Sequence, residues 1–76
     1  MKIYVFVDME GISGVSGSEF VSPTGRLYPA ARRYYTADLN ACVQGCFSGG
    51  AEAVIARDGH GGGNHMLWEE LDPRID

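Results

Sequence analysis

The sequence predicts an α/β fold of the strand–helix–strand type, and three features of the chain support this. The run Ile3–Val7 is continuously apolar and rich in β-branched and aromatic residues, which favours a strand. Apolar residues at helical spacing follow after Pro29. A second short strand is predicted over Ala53–Arg57. This order defines a βαβ unit with parallel strands, and we expect it to begin a three-layer parallel-sheet domain.

The first strand does not alternate with polar residues, so we expect both of its faces to be covered, as in a parallel sheet flanked by helices. Glycine, serine and proline are frequent over Gly11–Tyr28, which predicts a long loop. The helix is expected to begin near Pro29 and to end at Gly49 and Gly50. Its apolar stripe is predicted to contain Tyr35, Leu39, Cys42, Val43 and Cys46.

The C-terminal part is predicted to hold only a turn and a short helix. Gly61–Gly63 favour a turn, and Asn64 is expected to cap the helix that follows. His65 would lie in the first turn of this helix, where a solvated side chain is favoured over one that reaches the site. The helix would direct its glutamates outward and three apolar side chains inward: Leu67, Trp68 and Leu71.

Composition excludes several classes of protein. The 76 residues make one small domain at most, or part of one, and the net charge of −4 provides no basic surface for nucleic acid. No apolar run is long enough to span a membrane, and the apolar run after Lys2 is too short for a signal peptide. A cytoplasmic location is therefore expected. Cys42 and Cys46 do not match paired-cysteine zinc motifs, and we expect two small buried thiols.

Acidic and histidine side chains follow both predicted strands. Asp8 and Glu10 come directly after the first strand, and Asp58 and His60 come after the second. The carboxyl ends of parallel strands meet at one edge of a sheet, where α/β proteins place ligands, so we expect the four side chains to converge. Two carboxylates on one side favour a cation between them, and oxygen ligands suit Zn²⁺, Mg²⁺ and Mn²⁺ alike.

The motifs VDMEGISG at 7–14 and RDGH at 57–60, with Asn64 and the LDP of 71–73, resemble the N-terminal part of the D-aminopeptidase family of zinc peptidases. The resemblance covers essentially the whole chain. It implies that residues 1–76 are the N-terminal part of a single α/β metallopeptidase domain whose downstream part is absent. It also implies hydrolysis of short peptides with an N-terminal D-amino acid, by a homo-oligomer of the full-length protein.

The resemblance further implies a site with two zinc ions. Asp8 would bridge both ions, Glu10 would bind one of them, and His60 would bind the other. Asp58 would orient the histidine from outside the ligand shell, as carboxylates beside metal-binding histidines do. The family's remaining ligands and its catalytic histidine lie downstream, so no catalytic residue is expected here and the isolated chain is expected to be inactive.

Two other functions remain open on the sequence alone. A strand followed by D-x-E-G is similar to the D-x-D-G-[TV] start of haloacid-dehalogenase-type phosphohydrolases, in which an aspartate is the nucleophile beside Mg²⁺. Glu10 and Ile12 depart from that pattern. The other alternative is a non-catalytic segment that binds metal or a partner only.

Overall fold

The computed structural model describes residues 1–76 and confirms the strand–helix–strand order. A four-residue helix and a 3₁₀ turn at Trp68–Glu70 accompany the main elements. In chain order the strands and α-helices are β1 (Lys2–Val7), the four-residue α1 (Ser18–Val21), α2 (Tyr28–Ser48) and β2 (Ala53–Asp58). Neither helix has the length and apolar character that a membrane span requires.

The two strands are parallel and in register, with Lys2 opposite Ala53 and Val7 opposite Asp58. A parallel pair needs a long crossover, and α2 provides it. Because Val7 and Asp58 are paired, the chain leaves both strands at the same edge of the sheet. The segments that begin at Asp8 and Gly59 therefore start side by side.

Helix α2 packs one narrow stripe against the sheet. Ala31, Tyr35, Leu39 and Val43 recur at intervals of four residues and are all buried. An interval of four keeps side chains on one face of a helix, and each large apolar side chain buried there contributes about 1.5–3 kcal/mol. The stripe packs in the same core as Val54 of β2.

The predicted end of α2 is confirmed at its paired glycines. Gly50 has a left-handed φ of 101°, and its N–H donates to the Phe47 carbonyl at 3.1 Å. The Ala51 N–H donates to the Cys46 carbonyl at 3.0 Å. These two bonds form a Schellman motif, which satisfies the last helical carbonyls and turns the chain toward β2.

Two predictions about α2 and the loop before it were wrong. Cys42 is exposed and Cys46 is half-buried, because the buried stripe follows the four-residue interval and excludes Cys42. The segment predicted as a loop over 11–28 contains α1, whereas the predicted start of the long helix near Pro29 is confirmed, since α2 begins one residue earlier, at Tyr28. Propensity did not reveal α1, since a four-residue helix depends on tertiary contacts.

The predicted helix after Asn64 is also absent. Asn64 has a left-handed φ of 66°, so it does not cap a helix, and only the 3₁₀ turn at Trp68–Glu70 forms. The Asn64 side chain instead accepts a hydrogen bond from Trp68 Nε1 at 2.9 Å. Trp68 is 70% exposed rather than directed inward. Leu67 and Leu71 are half-buried.

One face of the sheet is open in residues 1–76, contrary to the expectation of two covered faces. Residues of β1 alternate between exposed and half-buried, because α2 covers one face only. We call the other side the open sheet face. It carries the exposed side chains Tyr4, Phe6 and Ile55.

Residues 75–76 pair with the free edge of β2 in the manner of a short third strand. Val54 forms a parallel bridge with Ile75, and the Asp76 N–H donates to the Val54 carbonyl at 2.9 Å. The Ala56 N–H donates to the Asp76 carbonyl at 3.2 Å. Strand β2 is therefore paired on both of its edges, with β1 on one side and residues 75–76 on the other.

Candidate metal centre

Asp8 and Glu10 face the same side because the residue between them is in the core. Strand β1 ends at Val7, so Glu10 already lies in a turn, yet Met9 is fully buried. The buried Met9 directs its two neighbours to the surface, where their side chains are 52% and 63% exposed. The predicted common orientation is therefore present, with an apolar anchor in place of a continued strand.

His60 reaches the same place from the end of β2. Its Nδ1 lies 3.1 Å from Asp8 Oδ1 and 3.2 Å from Glu10 Oε1. One ligand atom from each of the three residues lies within 4.8 Å of the others. The His60 side chain is only 10% exposed, whereas the two carboxylates are open to solvent. The site thus has a buried nitrogen donor and an accessible oxygen side.

A main-chain carbonyl fixes the orientation of the His60 ring. His60 Nε2 lies 2.6 Å from the Val21 carbonyl oxygen, which can only accept, so Nε2 carries a proton. In the neutral imidazole the other nitrogen, Nδ1, then keeps a free lone pair. Nδ1 faces the Asp8 and Glu10 carboxylates, which accept its proton in the imidazolium form, and a cation between them would bind Nδ1 in place of that proton. A backbone carbonyl on the distal nitrogen is a usual partner of metal-binding histidines.

The electrostatics of the three groups favour a positive charge between them. A hydrogen bond with the Glu10 carboxyl group, the Met9 N–H and His60 together hold the pKa of Asp8 below its ordinary value. Burial lowers the pKa of His60, but the Val21 carbonyl and the carboxylates of Asp8 and Glu10 outweigh burial and raise it. A cation on Nδ1 would take the place of the proton that these acceptors favour.

Asp58 lies behind His60 and contacts its main chain rather than its ring. Its Oδ1 accepts from the Tyr35 hydroxyl at 2.7 Å and from the His60 N–H at 3.3 Å. Its Oδ2 accepts from the His65 N–H at 2.6 Å. The expected positioning of His60 by Asp58 therefore takes a different route: the carboxylate holds the loop backbone, and the ring is held by Val21.

Tyr35 joins the ends of both strands beneath the site. Its side chain is fully buried, and its hydroxyl lies 2.9 Å from the Val7 carbonyl as well as against Asp58. Burial, followed by the hydrogen bond to Asp58, raises the pKa of Tyr35. The sequence predicts Tyr35 only as a core residue of the helix stripe. Its hydrogen bond to Asp58 could not be predicted from the spacing of residues along the chain.

His65 was expected to be solvated, and that expectation was wrong. It is 4% exposed, and its Nε2–H donates to the Gly61 carbonyl at 2.8 Å. Nδ1 then accepts from the Tyr28 hydroxyl at 2.5 Å. The Arg32 guanidinium donates to the His65 carbonyl at 2.9 Å. With both ring nitrogens engaged, His65 stabilises the loop after β2 and is not available as a ligand.

A cleft of about 360 Å³ adjoins the site on the Glu10 side. Most of its wall is the segment that leads into α1, and Val21 also lines it. The other lining residues are one further valine and five small or polar residues: Val15, Glu10, Gly11, Ser16, Gly17 and Ser18. Of the three donors, only Glu10 lines this cleft, so the cleft borders the site on its Glu10 side.

The donor set fits zinc. Zinc accepts imidazole nitrogen and carboxylate oxygen together, whereas Mg²⁺ prefers oxygen ligands. His60 presents the Nδ1 lone pair that such a bond needs, and Asp8 and Glu10 supply oxygens at the same point. This donor set lies at the carboxyl edge of a parallel α/β sheet, the place where α/β proteins bind their ligands.

The chain belongs to the D-aminopeptidase family, peptidase family M55, whose sequence model matches residues 1–76. A curated D-aminopeptidase of Bacillus subtilis (strain 168) is 38% identical over all 76 residues. The same segment superposes with a TM-score of 0.97 on the Zn-dependent D-aminopeptidase DppA from Bacillus subtilis, described as a self-compartmentalizing protease. The resemblance inferred from the motifs is confirmed, and the phosphohydrolase alternative is set aside.

The match covers the whole of this chain and 28% of each of those two relatives. The strands, α2 and the three clustered donors lie within the matched part. The activity of a complete protein that carries this segment is therefore a separate question from family membership.

Proposed function

We propose that the protein carrying this chain is a zinc-dependent aminopeptidase that hydrolyses short peptides with an N-terminal D-amino acid. The observation that carries this proposal is the convergence of Asp8, Glu10 and His60 within 4.8 Å at the carboxyl edge of the sheet. The chain that forms this sheet belongs to the D-aminopeptidase family. The structurally similar relative is described as Zn-dependent, which supports zinc as the metal.

Each residue has a distinct part in the proposed site. Asp8 is the proposed bridge between two zinc ions, which is the role that the family resemblance gives to the carboxylate at this position, and its Oδ1 lies 3.1 Å from His60 Nδ1. Glu10 and His60 each bind one of the ions. Zinc, when bound, lowers the pKa of water and polarises a peptide carbonyl. Asp58 does not touch the metal and holds the loop that carries His60.

The three residues supply fewer donors than the four of a structural zinc site, so residues 1–76 alone are proposed to bind zinc weakly and to lack activity. The cleft beside Glu10 is the proposed entry for the peptide, because one of the three donors, Glu10, lines its wall. We also propose a homo-oligomer, since the relative DppA is described as self-compartmentalizing.

The proposal is tested on the complete protein with paired D- and L-aminoacyl substrates. Exhaustive chelation should abolish release of the N-terminal D-residue, and added Zn²⁺ should restore it. Asp8→Asn and His60→Ala should be close to background. Asp72→Asn is the matched control, because that carboxylate pairs with Arg74 outside the site. Full activity after chelation, or faster hydrolysis of the L-substrates, would refute the proposal.

A further inference from the structure

We propose that the turn which joins α1 to α2, closed by Gly25, is a positioning element that selects the metal-binding nitrogen of His60. It does so by placing the Val21 carbonyl against the imidazole. This inference rests on the proposed metal site. It assigns a role in that site to the turn between α1 and α2, which contributes no ligand. Gly25 itself touches neither metal nor substrate, so it acts through Val21 and His60.

The first step is the dependence of His60 on one acceptor. The Val21 carbonyl is the only hydrogen-bond partner of His60 Nε2. Without that acceptor, nothing determines which ring nitrogen carries the proton or which of them faces the carboxylates, because Asp8 and Glu10 can accept a proton from either nitrogen. With it, Nε2 keeps its proton and Nδ1 faces the two carboxylates at 3.1 and 3.2 Å.

The second step is the support of Val21. Helix α1 has four residues and no side-chain cap, so it is too short to be stable by itself. The following turn holds it in place. The Gly25 N–H donates to the Ser22 carbonyl at 2.7 Å, and the Leu27 N–H donates to the Glu19 carbonyl at 3.0 Å. The chain thus folds back onto the first turn of α1 and fixes the direction of its last carbonyl.

The third step is the space at Gly25. A Cβ there would lie 2.7 Å from the Glu19 carbonyl carbon and 3.0 Å from its Cα, and closer still to the carbonyl oxygen. Backbone atoms cannot swing aside as the end of a long side chain can. Any side chain at 25 must therefore displace the first turn of α1, and the Val21 carbonyl moves with it.

A variant with matched controls tests this chain of contacts. Gly25→Ala in the complete protein should lower the affinity for Zn²⁺ by about 10–100-fold, the usual loss when a histidine's outer partner is disturbed. Gly45→Ala adds the same methyl group at an exposed helix position with nothing within 4 Å. Arg26→Ala removes an exposed ion pair with Glu19 from the same turn. Both controls should bind Zn²⁺ within about threefold of wild type, since exposed ion pairs contribute little.

The direct readout is the imidazole of His60 in the zinc-loaded protein, observed by NMR with ¹⁵N-labelled histidine. Wild type should show zinc on Nδ1 and a slowly exchanging Nε2 proton. Gly25→Ala should lose that slow exchange, while the controls keep it. A change in folding stability alone would not alter which nitrogen carries the proton, so this signal separates positioning from a general structural effect.

The outcomes separate this inference from the proposed function. A wild-type protein that binds no Zn²⁺ at His60 would overturn both. Zinc bound through Nδ1, together with undiminished affinity in Gly25→Ala, would overturn the positioning role alone. If Gly25→Ala does not fold, the wild-type spectrum decides: zinc on Nε2, or a rapidly exchanging Nε2 proton, contradicts the inference, and a slow Nε2 proton supports it.

Discussion

Replacing Asp58 with asparagine should weaken zinc binding although Asp58 is not a ligand. The Asp58 carboxylate accepts three hydrogen bonds, from the Tyr35 hydroxyl at 2.7 Å, the His65 N–H at 2.6 Å and the His60 N–H at 3.3 Å. An asparagine has one acceptor oxygen, so its NH₂ group must face at least one of these donors. The variant keeps the volume of the side chain and changes only its charge and its acceptors.

The structure indicates which bonds survive in Asp58→Asn. The best orientation keeps the amide oxygen on the His65 N–H and turns the NH₂ group toward Tyr35. The Tyr35 hydroxyl can accept there, because its proton can be donated to the Val7 carbonyl at 2.9 Å. The His60 N–H then loses its acceptor. Bonds to a charged group contribute about 1.5–3 kcal/mol and neutral ones about 1, so the expected loss of stability is about 1–3 kcal/mol.

The assay is Zn²⁺ affinity, measured by competition with a chromophoric chelator, beside urea unfolding of the zinc-free protein. We expect about a 10–100-fold loss of affinity, because the loop that carries His60 is less well held. Asp72→Asn is a matched control, since the Asp72 carboxylate also accepts from an N–H two residues later, that of Arg74 at 2.9 Å. Wild-type affinity in Asp58→Asn, or an equal loss in Asp72→Asn, would refute the reasoning.

Three further predictions follow from the strand ends and the open sheet face. The pKa of Tyr35 is raised, so its stabilisation should be complete below about pH 10, the ordinary tyrosine value, and should be lost as pH rises beyond it. The urea concentration at the unfolding midpoint should therefore fall more steeply with rising pH in wild type than in Tyr35→Phe, between about pH 9 and pH 12. Gly59→Ala should lower the free energy of unfolding, measured in urea, by about 1–3 kcal/mol. The new Cβ would press on the Phe6 ring and lie 2.9 Å from the Val7 carbonyl oxygen. Gly61→Ala is the control and should leave the free energy of unfolding unchanged, because a Cβ there meets nothing within 4 Å. Residues 1–76 expressed alone should self-associate through the open sheet face, and a monomer with a cooperative unfolding transition in ultracentrifugation and urea experiments would contradict this.

The sequence was sufficient for the features that depend on spacing and on strand ends. Two apolar runs joined by a helical stripe implied a parallel pair, and residues after parallel strands must meet at one edge. Asp8, Glu10 and His60 could therefore be placed together before their distances were known. The buried Tyr35 and Leu39 also followed from the helical interval.

The sequence was insufficient where the main chain or tertiary contacts decide. The partner of His60 Nε2 is the Val21 carbonyl, and a carbonyl has no residue type that a motif could show. His65 is buried by bonds to Tyr28 and Gly61, the first of which is 37 positions away in the chain. Trp68 was expected inside because it is apolar, but only a 3₁₀ turn forms after the left-handed Asn64, and Trp68 is exposed.

The central claim is that Asp8, Glu10 and His60 form one metal site, in which Asp8 is the proposed bridge between the two ions. The most direct measurement is the zinc content and Zn²⁺ affinity of Asp8→Ala, Glu10→Ala and His60→Ala in the complete protein, with Glu52→Ala as the control at an exposed carboxylate that pairs with the N-terminus. We predict that all three site variants lose affinity, Asp8→Ala more than Glu10→Ala, while Glu52→Ala binds as wild type does. Equal losses for Asp8→Ala and Glu10→Ala would contradict the bridging role, and wild-type zinc content in all three would contradict the site itself.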